Sequence, residues 1–365
     1  MVSGINKTKI QSLSGSSSDD LADVLQKISA WCADNDIQFD NYGEGKLIAD
    51  FECKIAGLLG FPAARFMPSG VLAQLIALKI WCDESGSNHF GMHPTSHLEL
   101  HEEQAYSHLY NLRATLLGPH DSPLLAKHLE NIDQNMAVLL TELPIREAGG
   151  QLPSWHQLKA LVAQCKKQGM RAHLDGARLW ETQPFYGKDY NEICEGFDSV
   201  YVSFYKGIGA LPGAMLLGSV EFIEQAKRWQ RRAGGTIQTL APQVASAAML
   251  FDTRIASMAG FCSRAKSLAT VMQSIPFVKC VPREPQVNMM HVVLPFSVDC
   301  AEAARDQIVL QDGLRLFGRA IKVGEKESYF EVTVGDNLLG ISDNQVAEVF
   351  ERFMVIGQQW TAIHE

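Results

Sequence analysis

The chain has 365 residues, 46% hydrophobic and 20% charged, with 32 Lys and Arg against 41 Asp and Glu for a formal net charge of −9. That length supports a large core and favours one large domain with a smaller one beside it. The acidic balance, the lack of any basic block and the absence of a run near the roughly 18 apolar residues of a membrane span argue against nucleic acid or membrane as partners.

Residues 1–40 read as a flexible segment followed by a helix: the serine-rich "SLSGSSSDD" leads in, and its aspartates are placed to cap "LADVLQKISAWC". The first twenty residues lack the apolar core of a signal peptide, and the eight cysteines show no C-x-x-C pair and lie mostly among apolar residues. Both features point to reduced thiols and a cytoplasmic protein.

From about Asn41 the pattern becomes globular. "IADFECKIAGLLG" predicts an amphipathic helix closed by Gly60, "FPAARFMPSG" an extended piece with a turn, and "VLAQLIALKIW" a buried helix. Three apolar runs, "MAVLLTE" (136–142), "MRAHLD" (170–175) and "SVYVSF" (199–204), predict buried strands, with "SWHQLKALVAQCKKQG" a helix between the first two that starts at Ser154. Strand, helix, strand in that order predicts an α/β domain over 41–253, a mostly parallel sheet covered by helices. The long helical stretch from Ala241 leads into "MMHVVLPF", "CAEAARDQIVLQDG", "SYFEVTVG" and "SDNQVAEVFERFMVIGQQW", which fit a small α+β domain over 254–365.

Ligands of open parallel sheets bind beyond the carboxyl ends of the strands. The polar residues at those ends are Glu142, Asp175 with Arg178, and Ser203 with Lys206. Asp175, in "HLDGARLW", follows an apolar strand and has two open readings: a cap for the next helix, or a carboxylate facing a protonated heterocycle. Lys206, in "SFYKGIGALPGA", sits among apolar residues and glycines. It either extends to solvent or is an amine that desolvation keeps neutral enough to condense with an aldehyde. Ser69 and Gly70 open a buried helix, as a plain cap or as a cradle in which free N–H groups receive a phosphate. Together, a Schiff-base lysine, an aspartate for a ring nitrogen and a phosphate cradle describe a pyridoxal phosphate site.

His89, His93, His97 and His101 recur every four residues, but Pro94 interrupts the helix that would stack them as metal ligands, and no metal is expected. A planar imidazole stacked on the pyridine ring is a better use for one of them.

The stretches "YGEGKLIADFECKIAGLLG", "FMPSGVLAQLIAL", "SHLELHEEQ", "HLDGARLWE" and "SVYVSFYKGIGALPGAMLLGS" resemble the threonine aldolase and β-eliminating lyase family of pyridoxal phosphate enzymes, which has the aspartate-aminotransferase-like fold, fold type I. The resemblance implies that Lys206 carries pyridoxal 5'-phosphate as a Schiff base, that Asp175 bonds the pyridine nitrogen and that His97 stacks on the ring. It also implies that Ser69, Gly70, Val71 and Ser203 hold the phosphate and that Arg178, Tyr42 and His101 meet the substrate. A homodimer or homotetramer follows from the same resemblance, with Tyr42 or its neighbours reaching across the interface.

Five departures touch substrate handling more than cofactor binding. Val71 stands where the family has a threonine at the phosphate, Ile145 where its E-N-T-H stretch has a histidine, Gln238 where a glycine-rich segment ends in arginine, and Glu331 near the place of a carboxylate-binding arginine, while the family's N-terminal R-S-D-T stretch, whose serine helps hold the substrate, has no clear counterpart. The expected activity is aldol-type cleavage of a β-hydroxy amino acid to glycine and an aldehyde, with threonine a poor substrate. The alternatives are a β-eliminating amino acid lyase and a pyridoxal phosphate binding protein without catalysis.

Overall fold

The computed structural model describes residues 10–16, 20–130, 132 and 135–364. These divide into two compact units, 20–258 and 259–364 together with 10–16. The flexible character expected of 1–9 and 17–19, and the cap expected of Asp19, lie outside the described residues. Residues 20–40, read from sequence as part of a separate lead-in, belong to the first unit. Asp40 shows why: its Oδ1 accepts the N–H groups of Leu240 and Ala241 at 2.7 and 2.8 Å, anchoring the segment to the start of the Ala241–Ser274 helix.

The first unit is built on a seven-stranded sheet in the order Ala63–Met67, Ala214–Gly218, Ser199–Ser203, Arg171–Gly176, Val138–Glu142, His89–Met92, Arg113–Leu116. Ala214–Gly218 is antiparallel to both neighbours, and the pairings from Ser199–Ser203 outward to Arg113–Leu116 are all parallel. The sheet is therefore mostly parallel, as the strand-helix-strand order predicts. All five residues of Ser199–Ser203 are buried, which is why that strand reads as a continuous apolar run rather than an alternating one.

The Gly70–Ser85 helix is buried along most of its length, with Ala73, Ile76, Leu78, Ile80 and Trp81 in one core cluster with strand residues Met67, Phe90, Val138 and Tyr201. Each large apolar side chain so buried contributes about 1.5–3 kcal/mol. The Trp155–Lys167 helix begins where expected, with a capping box in which Ser154 and Gln157 satisfy each other's backbone N–H. Lys46–Leu59 ends at Gly60, whose φ of 75° is the left-handed conformation that glycine adopts without a Cβ penalty. Leu21–Asp34 forms as predicted, but Asp20 at its N-cap makes no side-chain capping bond.

The second unit is α+β. Its four-stranded antiparallel sheet runs Ile321–Lys322, Ser328–Thr333, Met289–Leu294, Lys279–Val281, with helices Val298–Asp312 and Asp343–His364. Phe317, Phe330, Phe350 and Phe353 form its aromatic core, the first two stacked at 4.3 Å. Gln11–Ser12 pairs in parallel with Leu314–Arg315, so this part of the expected flexible segment is ordered by main-chain bonds such as Leu13 N–H to the Arg315 carbonyl at 3.0 Å.

Candidate active site

Three parallel strands end side by side, and their register sets Glu142 beside Asp175 and Asp175 beside Tyr201. Beyond these ends lies a cleft lined by Thr95, His97, His101, Asp175, Arg178 and Lys206 on some sides and by Glu142, Leu143, Pro144, Arg146 and Glu147 on another. It holds side chains from four separate stretches of sequence. Only the strand order brings them together.

Asp175 is buried, 2% exposed, and both its oxygens are occupied: Gln74 Nε2 donates to Oδ2 at 2.7 Å and the Ala177 N–H to Oδ1 at 3.0 Å. The second bond is the local turn that the capping reading foresaw. The first comes from the second turn of the Gly70–Ser85 helix, so Gln74 also fixes where that helix starts relative to Asp175. At its start, Ser69 Oγ accepts the Leu72 N–H at 3.3 Å, while the N–H groups of the first turn have no intrahelical acceptors. A Cβ on Gly70 would lie 1.9 Å from the Tyr201 hydroxyl, so only glycine lets this helix end approach the strand.

Lys206 follows the Ser199–Ser203 strand on a loop held from beneath by Phe204, which is fully buried and contacts Phe51, Phe66, Trp180 and Phe251 at centroid distances of 5.0 to 6.2 Å. A Cβ on Gly207 would lie 2.9 Å from Glu181 Oε1. Gly207 is therefore set by its close approach to Glu181, and Gly209 by its φ of 76°, the left-handed conformation that glycine adopts without a Cβ penalty. Burial lowers the Lys206 pKa from its usual 10.5, with Arg178 and Arg146 acting in the same direction and Asp175 and Glu142 opposing. Ser203, fully buried, donates its hydroxyl to the Ala177 carbonyl at 2.7 Å and so ties the lysine strand to the Asp175 turn.

Each cleft histidine is held by a carboxylate. His97 Nδ1 lies 2.8 Å from Oε1 of the buried Glu102, and His101 Nε2 lies 2.9 Å from Glu147 Oε1, which also pairs with Arg146 at 3.3 Å. A carboxylate accepts, so the bonded nitrogen carries a proton; in the neutral ring the opposite nitrogen, Nε2 of His97 and Nδ1 of His101, presents its lone pair. The two rings are 5.0 Å apart and tilted by 51°. Arg178 lines the cleft with Nη1 3.1 Å from Oε1 of fully buried Glu181.

Of the residues singled out in the sequence, Lys206, Asp175, His97, His101 and Arg178 share this cleft. Tyr42 is 53% exposed, with its N–H bonded to the Gln238 carbonyl, and it does not line the cleft; neither do Ser69, Gly70, Val71 and Ser203, which belong to the adjoining helix start and strand end. Ile145 is 2% exposed, its amide bonded to the Gln151 carbonyl, and does not stand in for the absent histidine. Gln74, Glu102, Arg146 and Glu147 carry no motif that marks them; each matters through a partner that folding supplies. Among the described residues, no group of three or more His, Cys, Asp or Glu could hold a metal ion.

The residues fit pyridoxal phosphate. The helix start at Ser69–Gly70–Val71 offers free N–H donors and the positive end of a 16-residue helix to a phosphate. Asp175 is pinned as an acceptor at the sheet end, the Lys206 amine is desolvated, and Glu142 Oε2 is buried with no hydrogen-bond partner among the described residues.

Comparison with known proteins agrees with this geometry. A family model, Beta-eliminating lyase, matches residues 17–295. A solved structure from Listeria monocytogenes described as a "putative L-allo-threonine aldolase" is 40% identical, with a TM-score of 0.90 over 95% of this chain and 96% of that one. One from Exiguobacterium, described as a "putative aromatic amino acid beta-eliminating lyase/threonine aldolase", is 34% identical, with a TM-score of 0.90 over 95% and 97%. The low-specificity L-threonine aldolase 1 of Arabidopsis thaliana is 26% identical over 260 residues, 66% of this chain and 69% of the relative. With the family model spanning most of its length, the chain belongs to the β-eliminating lyase family, in which the threonine aldolases are its relatives.

Proposed function

We propose that the protein is a pyridoxal phosphate-dependent lyase that cleaves the Cα–Cβ bond of a β-hydroxy amino acid, giving glycine and an aldehyde. The observation that carries this reading is the convergence in one cleft of a desolvated lysine, a pinned buried aspartate and two histidines, each with one nitrogen committed to a carboxylate. The cofactor, when bound, supplies an electron sink for the pair left on Cα.

This chain's residues divide the remaining work. Lys206 supplies the amine that holds the cofactor. Asp175, held in place by the Gln74 and Ala177 donors, would hold the ring nitrogen and favour a proton on it. The first turn at Ser69, Gly70 and Val71 takes the phosphate, and Ser203 steadies the strand end beside it. His97, fixed by Glu102, gives a flat ring to cover the pyridine face.

Arg178 receives the substrate carboxylate. His101 takes the β-hydroxyl proton on Nδ1: the O–H bond breaks, the C=O bond of the aldehyde forms, and the Cα–Cβ pair passes to Cα, which a proton then completes as glycine. Glu147 fixes the His101 tautomer for that step. Threonine is a poor substrate in this account because Ile145 is buried and offers no second contact to the hydroxyl. We also infer a homodimer or homotetramer, since closed symmetric assemblies are the general expectation for such enzymes.

The test is a panel of L- and D-β-hydroxy amino acids and β-substituted alanines assayed for aldehyde, glycine and pyruvate. Aldehyde and glycine in equal amounts support the reading, and pyruvate without aldehyde overturns it in favour of β-elimination.

A further inference from the structure

Glu142 ends its strand in register with Asp175, so two carboxyl groups stand on neighbouring strands about 4.8 Å apart at the backbone and face one cleft. They are treated differently. Asp175 has a donor on each oxygen, from Gln74 and Ala177. Glu142 has one: the Arg146 N–H donates to Oε1 at 3.1 Å, and Oε2 is buried with no partner among the described residues. Apolar Leu143 and Pro144 close the wall beside it.

Two like charges this close cannot both be kept in a dry site, and the one with fewer donors takes the proton. Burial and the Asp175 charge push the Glu142 pKa up from 4.5 to about 8, while the Arg146 N–H and Lys206 pull the other way. The other charged or titratable groups lining the cleft are Arg146, Glu147, Arg178, His97 and His101. The protonated group has a hydrogen to donate, and its unpaired oxygen lacks a recipient in the protein.

The strand order names the recipient. Ser203 and Lys206 lie on and after one strand, Asp175 ends the next and Glu142 the one beyond. In pyridoxal phosphate the ring nitrogen and the carbon that bonds the lysine lie on one axis. The phosphate arm is on one side of it and the ring oxygen on the other. With the phosphate at the helix start against Tyr201 and the nitrogen at Asp175, the oxygen side faces the Glu142 strand. We propose that Glu142 acts as a neutral carboxylic acid that donates a hydrogen bond from Oε2 to the ring oxygen of the cofactor. This rests on the cofactor reading above and goes beyond it, by assigning the acid that sets the charge on that oxygen.

The consequence has a sign. A neutral donor at the ring oxygen favours loss of the proton shared between that oxygen and the Lys206 nitrogen, and an anion there would oppose it. The experiment titrates the visible absorbance of the holoprotein against pH for the wild type, Glu142→Gln, Glu142→Ala and Glu142→Asp, with the affinity of each for pyridoxal phosphate and for 3-deoxypyridoxal phosphate.

Glutamine keeps a donor and should hold the midpoint. Alanine and the shorter aspartate should raise it by about one unit, the scale of a hydrogen bond to a charged oxygen, and should lose about tenfold of the preference for the oxygen-bearing ring. A midpoint that falls in Glu142→Gln shows an anionic Glu142 and overturns the proposal, even if the alanine variant does not fold. Midpoints and preferences unmoved in every variant overturn it too, with the cofactor reading intact. A wild type without any borohydride-reducible visible band overturns the cofactor reading and this proposal together.

Discussion

Gln74 and Asp175, far apart in sequence, meet in the interior, where the amide donates to the carboxylate at 2.7 Å and Gln74 is only 2% exposed. One contact thus joins the helix that starts at Ser69 and Gly70 to the carboxylate at the sheet end. Replacing Gln74 by methionine keeps the volume and removes the donor. Stability should fall by about 1.5–3 kcal/mol in denaturant unfolding, the cost of a lost bond to a buried charge, and cofactor affinity should fall with it. An unchanged unfolding midpoint and affinity would show that Asp175 does not depend on this bond.

Lys206→Ala should fold, because its loop is held by Phe204 and by the glycines rather than by the ammonium. It should give no covalent adduct with pyridoxal phosphate after borohydride, and mass spectrometry of the wild type should place the adduct on Lys206. Asp175→Asn should keep the cofactor and lose activity by on the order of 10²-fold, the range for a misplaced proton. A fully active amide variant would return Asp175 to a capping role.

Glu147→Ala frees His101 to rotate and to choose the other tautomer, as Nε2 then has no carboxylate at 2.9 Å. The expectation is a loss of about tenfold or more in kcat for aldehyde release with a small change in KM, because the pair acts on the β-hydroxyl in the transition state. A rise confined to KM would assign Glu147 to binding instead.

L-Threonine should be turned over with kcat/KM below about 10⁴ M⁻¹s⁻¹, the lower end of the ordinary enzyme range. Acetaldehyde release from L-threonine and L-allo-threonine, set against bulkier and charged β-hydroxy amino acids, checks this. Efficient turnover of threonine would show that His101 and Arg178 suffice without a histidine at Ile145.

Without cofactor, Glu142 gives stability a pH dependence. Its folded pKa of about 8 lies above the 4.5 of an exposed glutamate. Its contribution is complete below 4.5 and is lost as pH rises toward and through 8, because there the folded state holds a proton that the unfolded state has released. Unfolding free energy of the apoprotein should therefore fall by on the order of a few kcal/mol between those values, and Glu142→Gln should flatten that fall. An equal slope in wild type and variant would remove Glu142 as its source.

The three strands that carry Glu142, Asp175 and Ser203 were legible because a strand buried on both faces must be apolar throughout, and a polar residue at the end of such a run stands out. His89–Met92 and Arg113–Leu116 were not legible as strands, because they are four residues long and mix polar residues with apolar ones; Ala214–Gly218, apolar but set between glycines, was not singled out either. Gln11–Ser12 was read as part of a flexible segment because its partner, Leu314–Arg315, lies near the other end of the chain and its bonds are between main chains, which leave no mark on side-chain identity.

Residue chemistry in short stretches was enough to pick out the lysine, the aspartate, the helix start and the fold class, since desolvation, capping and periodicity act over a few positions. What the tertiary structure decided is pairing: Gln74 with Asp175, His97 with Glu102, His101 with Glu147, and Glu142 beside Asp175. Which carboxyl has the fewer donors and which imidazole nitrogen is left unbonded follow from distances of about 3 Å, and most of those distances exist only after segments far apart in the chain have become neighbours.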